Sequence, residues 1–402
     1  MRSQMRVEIA EQPEALRRTF EALLPQAAEL EALARDTRQI LFIARGSSDN
    51  AAVYGHYLCS ARAGRLTSLG SPSLATVYHA DLDLRGVLAV AVSQSGATEE
   101  IVTTLDWARH HGARTVAITN VAGSPLAELA DVALVTQAGD ELTVPATKTY
   151  TTQLAAIAVL ARSLAPAGAG LDPGELLRVP DAVAETLEVA PAAEELAHRL
   201  ADTATLVVSG RGFAYSTALE IALKLKETCY VTAVGLSYAD LVHGPIAIVD
   251  ADTPALLVAA ADGPMLPEMT SLAHRIATTG APVFGIGGDR EFAATCQTTL
   301  PVPPPVRHTD PGSSGSGLEG SGSPGSGLEG PEFPGSGLQG PGSSGPGHQA
   351  SGSSGFRAGL PEHLAPFALV VPGQLLAEAL ARAKGLDPDA PRGLDKVTQT
   401  DA

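Results

Sequence analysis

Cysteine is scarce in this chain. Only Cys59, Cys229 and Cys296 occur among 402 residues, and no two form a CxxC pair. That argues against a disulfide framework and a structural zinc site, and fits a reducing cytoplasm. Long apolar runs are also missing. No stretch approaches 18 residues, and the start runs from Met1-Arg2-Ser3-Gln4-Met5-Arg6 into Glu8 and Glu11 rather than into a signal-peptide core. Neither a membrane span nor secretion is expected. Positive charge is short as well. With 27 Lys plus Arg against 44 Asp plus Glu, the net charge of −17 argues against nucleic acid or an anionic membrane as a partner. A small anionic ligand would have to be met by a local site.

Against these absences stands a repeat. Residues 205 to 288 read as a second copy of residues 39 to 120. The apolar segment ending at Ile43 leads into Ala44-Arg45-Gly46-Ser47-Ser48, as Leu206-Val207-Val208 leads into Ser209-Gly210-Arg211-Gly212, at an offset of 211 − 45 = 166. Further on, Leu88 to Val92 matches Leu256 to Ala260, and His111-Gly112-Ala113 matches Thr279-Gly280-Ala281, at an offset of 168. A register held this long implies duplication. The copies diverge after their second matched strand, with Ser93-Gln94-Ser95-Gly96-Ala97-Thr98 in the first and Ala261-Asp262-Gly263-Pro264 in the second.

The 45% hydrophobic content supports substantial cores in two or three domains. Residues 1–38 carry Leu16, Phe20, Leu23, Leu24, Leu30 and Leu33 at helical spacing, interrupted at Pro25, which predicts two short helices. From 39 to 165, strands at 39–44, 87–92 and 115–119 alternate with helices from about 49 and over 97–111. This βαβ order predicts an α/β domain with a doubly wound parallel sheet. A helical linker over 166–200 leads to the second such domain, 201–302 resumed at 360–385, and then to a tail, 386–402. Between 302 and 360 lies an insertion, 303–359, whose stretch from Pro311 to Gly355 is dominated by Gly, Ser and Pro in a ten-residue period; it is too poor in apolar surface to offset its ordering entropy and reads as disordered.

The loop Ser93 to Thr98 follows a strand and precedes a helix opened by Glu99 and Glu100. Helix N-terminal N–H groups, three hydroxyls (Ser93, Ser95, Thr98) and a glycine allowing close approach form a neutral anion cradle. Ser47 and Ser48, after the first strand, fall at the same end of the sheet, where doubly wound folds bind ligands. The plainer reading is that Ser95 or Thr98 caps the helix. The loop carries neither GxGxxG nor GxxxxGK[ST], so a monophosphate fits better than a dinucleotide or nucleoside triphosphate. Thr147, in the loop Glu141 to Thr149, is either a further donor to that ligand or an N-cap.

Ala218 to Glu227 is a helix on propensity, with Glu220, Lys224 and Glu227 on one face of an otherwise apolar segment. Buried charges cost several kcal/mol unless paired or used. Glu227 is the residue expected to do chemistry; Glu220 reads as the structural partner of Lys224. His243, in Asp240-Leu241-Val242-His243-Gly244-Pro245 before an expected strand 246–249, suits proton shuttling, or is simply structural.

These runs, with Pro391-Arg392-Gly393-Leu394-Asp395-Lys396-Val397-Thr398, resemble sugar isomerase (SIS) domain proteins over nearly the whole chain outside 303–359. They look most like the isomerase half of glutamine–fructose-6-phosphate amidotransferase and SIS-type glucosamine-6-phosphate deaminases. The resemblance implies two tandem flavodoxin-like SIS domains and a homodimer. It implies that Ser47, Ser48, Ser93, Gln94, Ser95 and Thr98 bind a sugar phosphate, with Val144 and Thr147 near the sugar. Glu227 would move a proton between carbons 1 and 2, Lys224 would support it and His243 would open the ring across a dimer interface. Lys396, on the tail over the site, would hold the open-chain ketose as a Schiff base. No metal or redox cofactor is implied.

Set against the amidotransferase, the sequence opens at the leader Val7 to Pro13, so ammonia from a glutaminase of its own is not expected, and Lys396 to Thr400 resembles the deaminase branch. The loop before His243, Gly235-Leu236-Ser237-Tyr238-Ala239, matches neither pattern. The expected activity is conversion of glucosamine 6-phosphate to fructose 6-phosphate and ammonia. The alternatives are another amino sugar phosphate or fructosamine phosphate, an amidotransferase-like isomerase, and a non-catalytic sugar-phosphate sensor.

Overall fold

Two five-stranded parallel sheets repeat one topology. The computed structural model describes residues 3–166, 171–305 and 359–396. Strands β1 (Gln39–Ile43), β2 (Leu66–Leu69), β3 (Val87–Val92), β4 (Arg114–Thr119) and β5 (Val132–Val135) form the first sheet, in the order β2-β1-β3-β4-β5. Strands β6 (Thr205–Gly210), β7 (Thr232–Ser237), β8 (Ala255–Ala259), β9 (Val283–Gly287) and β10 (Thr298–Leu300) form the second, whose order β10-β9-β8-β6-β7 is the same pattern read from the other edge. This is the doubly wound α/β architecture expected from the repeat, with the strand order of flavodoxin-like sheets.

The central strands are apolar on both faces because helices cover both. Within β3, Leu88 through Val92 are fully buried, the composition that a parallel sheet with two covered faces demands. Helices Gly46–Ala63, Lys148–Leu164, Phe213–Cys229 and Ala365–Ala383 lie between the sheets, and their apolar faces make one core that includes Phe42, Tyr54, Tyr150, Leu206, Val258 and Phe367. The rings of Tyr54 and Phe367, from opposite halves of the chain, meet edge to face at 6.0 Å. At roughly 1.5–3 kcal/mol per fully buried large side chain, this shared core holds the two halves together. Among the described residues, no helix is long and apolar enough to cross a membrane.

Several expectations need correction. The segment 246–249 is no strand but part of a 3-10 turn, Pro245–Ile248. Gly244 at φ 138° and the missing N–H of Pro245 break the chain direction, and β6 already has β7 and β8 as its two neighbours. Residues 235–239, read as a loop, end β7 and begin the helix Tyr238–Val242. The leader forms three helices, Gln4–Ala10, Gln12–Leu23 and Ala27–Leu33, with a 3-10 turn at Leu24–Gln26 where Pro25 stands. Strands β2 and β5 were not foreseen; β2 buries only Thr67, so it lacks a readable alternation. The low-complexity segment lies outside the described residues from 306 to 358. Its flanks meet, since Pro305 and Gly359 form a parallel bridge.

Candidate active site

Strand order reverses between β1 and β3, and the loops that leave these two strands form a pocket of about 360 Å³. The volume is in the range of small-molecule sites. Ten of the twelve residues singled out in the sequence line it: Ser47, Ser48, Ser93, Gln94, Ser95, Thr98, Val144, Lys224, Glu227 and Lys396. The other two do not. Thr147 is buried behind the wall at the N-terminus of the Lys148–Leu164 helix, where its N–H donates to Glu141 Oε1 at 2.8 Å. His243 is exposed after the Tyr238–Val242 helix and is not among the lining residues of its own chain's pocket.

The cradle follows from local backbone geometry. Thr98 takes the N-cap position of the Glu99–His110 helix without a side-chain capping bond. Ser95 Oγ accepts from Ala97 N at 3.2 Å inside the loop. Helix capping therefore does not account for either hydroxyl. Gly96 adopts φ 61°, and a Cβ there would lie 2.2 Å from Ser124 Oγ. The loop can take this path only with glycine. Behind Ser48, Gln153 Nε2 donates to its hydroxyl at 3.0 Å.

The Phe213–Cys229 helix brings a charge cluster to the same pocket. Lys224, fully buried, reaches Glu227 in a direct ion pair and lies 3.5 Å from Glu220 Oε1. Burial pulls the Lys224 ammonium down, but Glu227 and Glu220 outweigh it and raise it above its ordinary value. Glu220 is also fully buried and accepts from Ser47 Oγ (2.9 Å) and Asn50 Nδ2 (2.8 Å) across the two halves of the chain. Burial pushes its carboxyl up to about 7, against the pull of Lys224, Asn50 and Ser47.

Sequence reading passed over two lining residues. Glu141, buried, accepts from the N–H groups of Thr147 and Thr149 and the Thr149 hydroxyl, and pairs with Lys396 Nζ at 3.0 Å. Burial alone would raise its carboxyl; Lys396 and these donors outweigh it and hold it below the usual range. Arg45 makes a two-pronged contact with Glu100 (3.1 and 3.0 Å), joining the starts of two helices that face the pocket. The available signals were Glu141 at the head of the Thr147 loop and Arg45 at a position matched by Arg211 in the repeat. Lys396 Nζ is held at the pocket by Glu141 and the Thr143 carbonyl.

The arrangement brings a hydroxyl-rich loop and a carboxylate with a partnered lysine to the lining of one pocket. The SIS domain model matches residues 33–163 and 199–288, one segment over each copy of the repeat. The chain belongs to the SIS domain family. Among its relatives, a glutamine–fructose-6-phosphate aminotransferase (isomerizing) of Pyrococcus horikoshii is 31% identical over 395 residues, covering 97% of this chain and 56% of the relative. The SIS chain described here thus spans about half the length of the curated relatives it matches. Two solved structures share the fold. The C-terminal domain of glucosamine-fructose-6-phosphate aminotransferase from Francisella tularensis aligns with a TM-score of 0.77 at 24% identity, over 97% of this chain and 99% of that one. Glucosamine-6-phosphate deaminase from Thermotoga maritima aligns with a TM-score of 0.71 at 21% identity, over 99% and 100%.

Proposed function

We propose that this SIS protein deaminates glucosamine 6-phosphate to fructose 6-phosphate and ammonia. The observation that carries the reading is that Glu227, in direct contact with Lys224, faces the same pocket as the hydroxyl and N–H cradle. The phosphate sits in the cradle of Ser48, Ser93, Gln94, Ser95 and Thr98, with Ser47 beside them and Val144 along the sugar. Glu227 takes the proton from carbon 2 of the open-chain aldose and returns it to carbon 1. The carbon 2 amine then becomes an imine, which water hydrolyses to the ketose and ammonia. Lys224 steadies the charge that develops on the sugar oxygens. Lys396, on the tail beside Glu141, holds the open-chain ketose. Ring opening falls to His243, contributed by a second copy to a homodimeric site. Chains carrying His243→Ala or Glu227→Gln should each be inactive and regain activity when mixed; a fully active His243→Ala would remove His243 from the reaction, and no recovery on mixing would refute its contribution from a second copy.

The test is ammonia release from glucosamine 6-phosphate by the purified chain, with fructose 6-phosphate followed in the same tube. Equal amounts of both are expected. Glu227→Gln should abolish turnover and leave fructose 6-phosphate binding within a few-fold; an equal loss of binding would sink the proton-transfer role. A second reading, favoured by the 97% coverage of this chain in the aminotransferase alignment, is the isomerase part of such an enzyme working with ammonia from elsewhere. Net formation of glucosamine 6-phosphate from fructose 6-phosphate and ammonia at physiological concentrations would favour it. Tight sugar-phosphate binding with no turnover in either direction would indicate a sensor.

A further inference from the structure

Ser47 and Ser48 are adjacent, yet their hydroxyls are constrained in opposite senses. Ser48 Oγ accepts from Gln153 Nε2 at 3.0 Å, so its single proton remains for the pocket. Ser47 Oγ donates to Glu220 Oε1 at 2.9 Å. Once ionised, as at the alkaline pH of the test below, Glu220 only accepts, so the Ser47 proton is committed to it and what Ser47 offers the pocket is a lone pair. Glu220 is itself firmly anchored. It is fully buried, its other oxygen takes Asn50 Nδ2 at 2.8 Å, and Lys224 stands 3.5 Å away.

We propose that Glu220 is a positioning residue that fixes Ser47 as a hydrogen-bond acceptor towards the ligand, so that Ser47 meets a hydroxyl or ammonium group of the ligand and not an oxygen of its phosphate. The inference rests on the reading that a sugar phosphate fills the pocket, and it corrects the expectation that Ser47 holds the phosphate. A phosphate oxygen has no proton to give to Ser47, whereas the hydroxyls and amine of an amino sugar do. The same strut ties the first turn of the Gly46–Ala63 helix to the helix that carries Glu227. The cradle and the proton-transfer pair are thereby held in register across the two halves of the chain.

The two serines can be told apart by calorimetric titration of the whole chain at pH 8.5, with inorganic phosphate and with fructose 6-phosphate as probes. Ser48→Ala is expected to weaken both about tenfold or more, as loss of a hydrogen bond to a charged group does. Ser47→Ala should weaken fructose 6-phosphate about five- to tenfold and leave inorganic phosphate within about twofold. Glu220→Gln, which keeps an acceptor oxygen, should preserve the wild-type ratio of the two affinities, and Glu220→Ala should lower it to that of Ser47→Ala. Equal weakening of both probes by Ser47→Ala would overturn the proposal, even where Glu220→Ala does not fold. Wild-type chain that binds no sugar phosphate would overturn it together with the proposed function. The expected contrast in a chain without turnover would support it and refute only the deaminase reading.

Discussion

Replacing Glu141 by Gln isolates one charge while keeping the size of the side chain. Glu141 accepts from Thr147 N (2.8 Å), Thr149 N (3.1 Å), Thr149 Oγ1 (2.6 Å) and Lys396 Nζ (3.0 Å). A glutamine oxygen keeps the two backbone donors, and its nitrogen then faces the other two. The Thr149 hydroxyl can turn to accept; the Lys396 ammonium has only protons to offer. One charge-assisted bond is lost, about 1.5–3 kcal/mol, and relief of the carboxylate's burial offsets part of it. A net loss of about 2 kcal/mol at pH 7 follows, less than the roughly 3–5 kcal/mol for orphaning a buried ion, since Lys396 is 29% exposed and keeps the Thr143 carbonyl. The folded-state pKa of Glu141 is depressed, so its stabilisation is present above its ordinary 4.5 and is lost as pH falls through the folded value. The deficit should therefore shrink in acid. Urea denaturation at pH 7 and pH 4 measures this, and trypsin cleavage after Lys396 should quicken. A variant within about 0.5 kcal/mol of wild type at pH 7, with unchanged cleavage, would refute the assignment of Glu141 as the post that holds the tail.

Two further outcomes can be checked. Gly96→Ala must accept a left-handed φ, about 1–2 kcal/mol, and a Cβ 2.2 Å from Ser124 Oγ; inorganic phosphate should bind at least tenfold more weakly by calorimetry, and unchanged affinity would show that the loop is not the anion site. Glu220 has a folded-state pKa near 7 against an ordinary 4.5, so the folded chain holds the extra proton between these values. Its burial destabilises the fold increasingly as pH rises across that window, by on the order of 3 kcal/mol. The thermal midpoint of Glu220→Gln should gain on wild type from pH 5 to pH 8; parallel profiles would show that Glu220 does not titrate there.

Much of the site was legible because it depends on local sequence. A hydroxyl-rich loop between a strand and a helix predicts its own backbone geometry, and Ser93, Gln94, Ser95 and Thr98 do line the pocket. The i, i+4, i+7 spacing placed Glu220, Lys224 and Glu227 on one helix face, and the structure groups them. Their environments were not legible. Glu220 was read as the partner of Lys224, and it is; its bonds to Ser47 and Asn50 join residues 170 or more positions apart. Strand 246–249 failed because a four-residue apolar run has no periodicity to separate a strand from a tight turn.

The duplicated βαβ pattern, read from the chain alone, was enough to determine two parallel doubly wound sheets, since short apolar runs alternating with amphipathic stretches have few other ways to bury both faces. It also determined which copy kept the hydroxyl loop. Only the tertiary structure decided what shares the pocket with that loop. Packing of the Phe213–Cys229 helix against the Gly46–Ala63 helix brings Glu220 to Ser47, and the returning tail brings Lys396 to Glu141 across 255 positions. Such contacts are set by how two halves share one core, and no local propensity encodes a distance between residues so far apart.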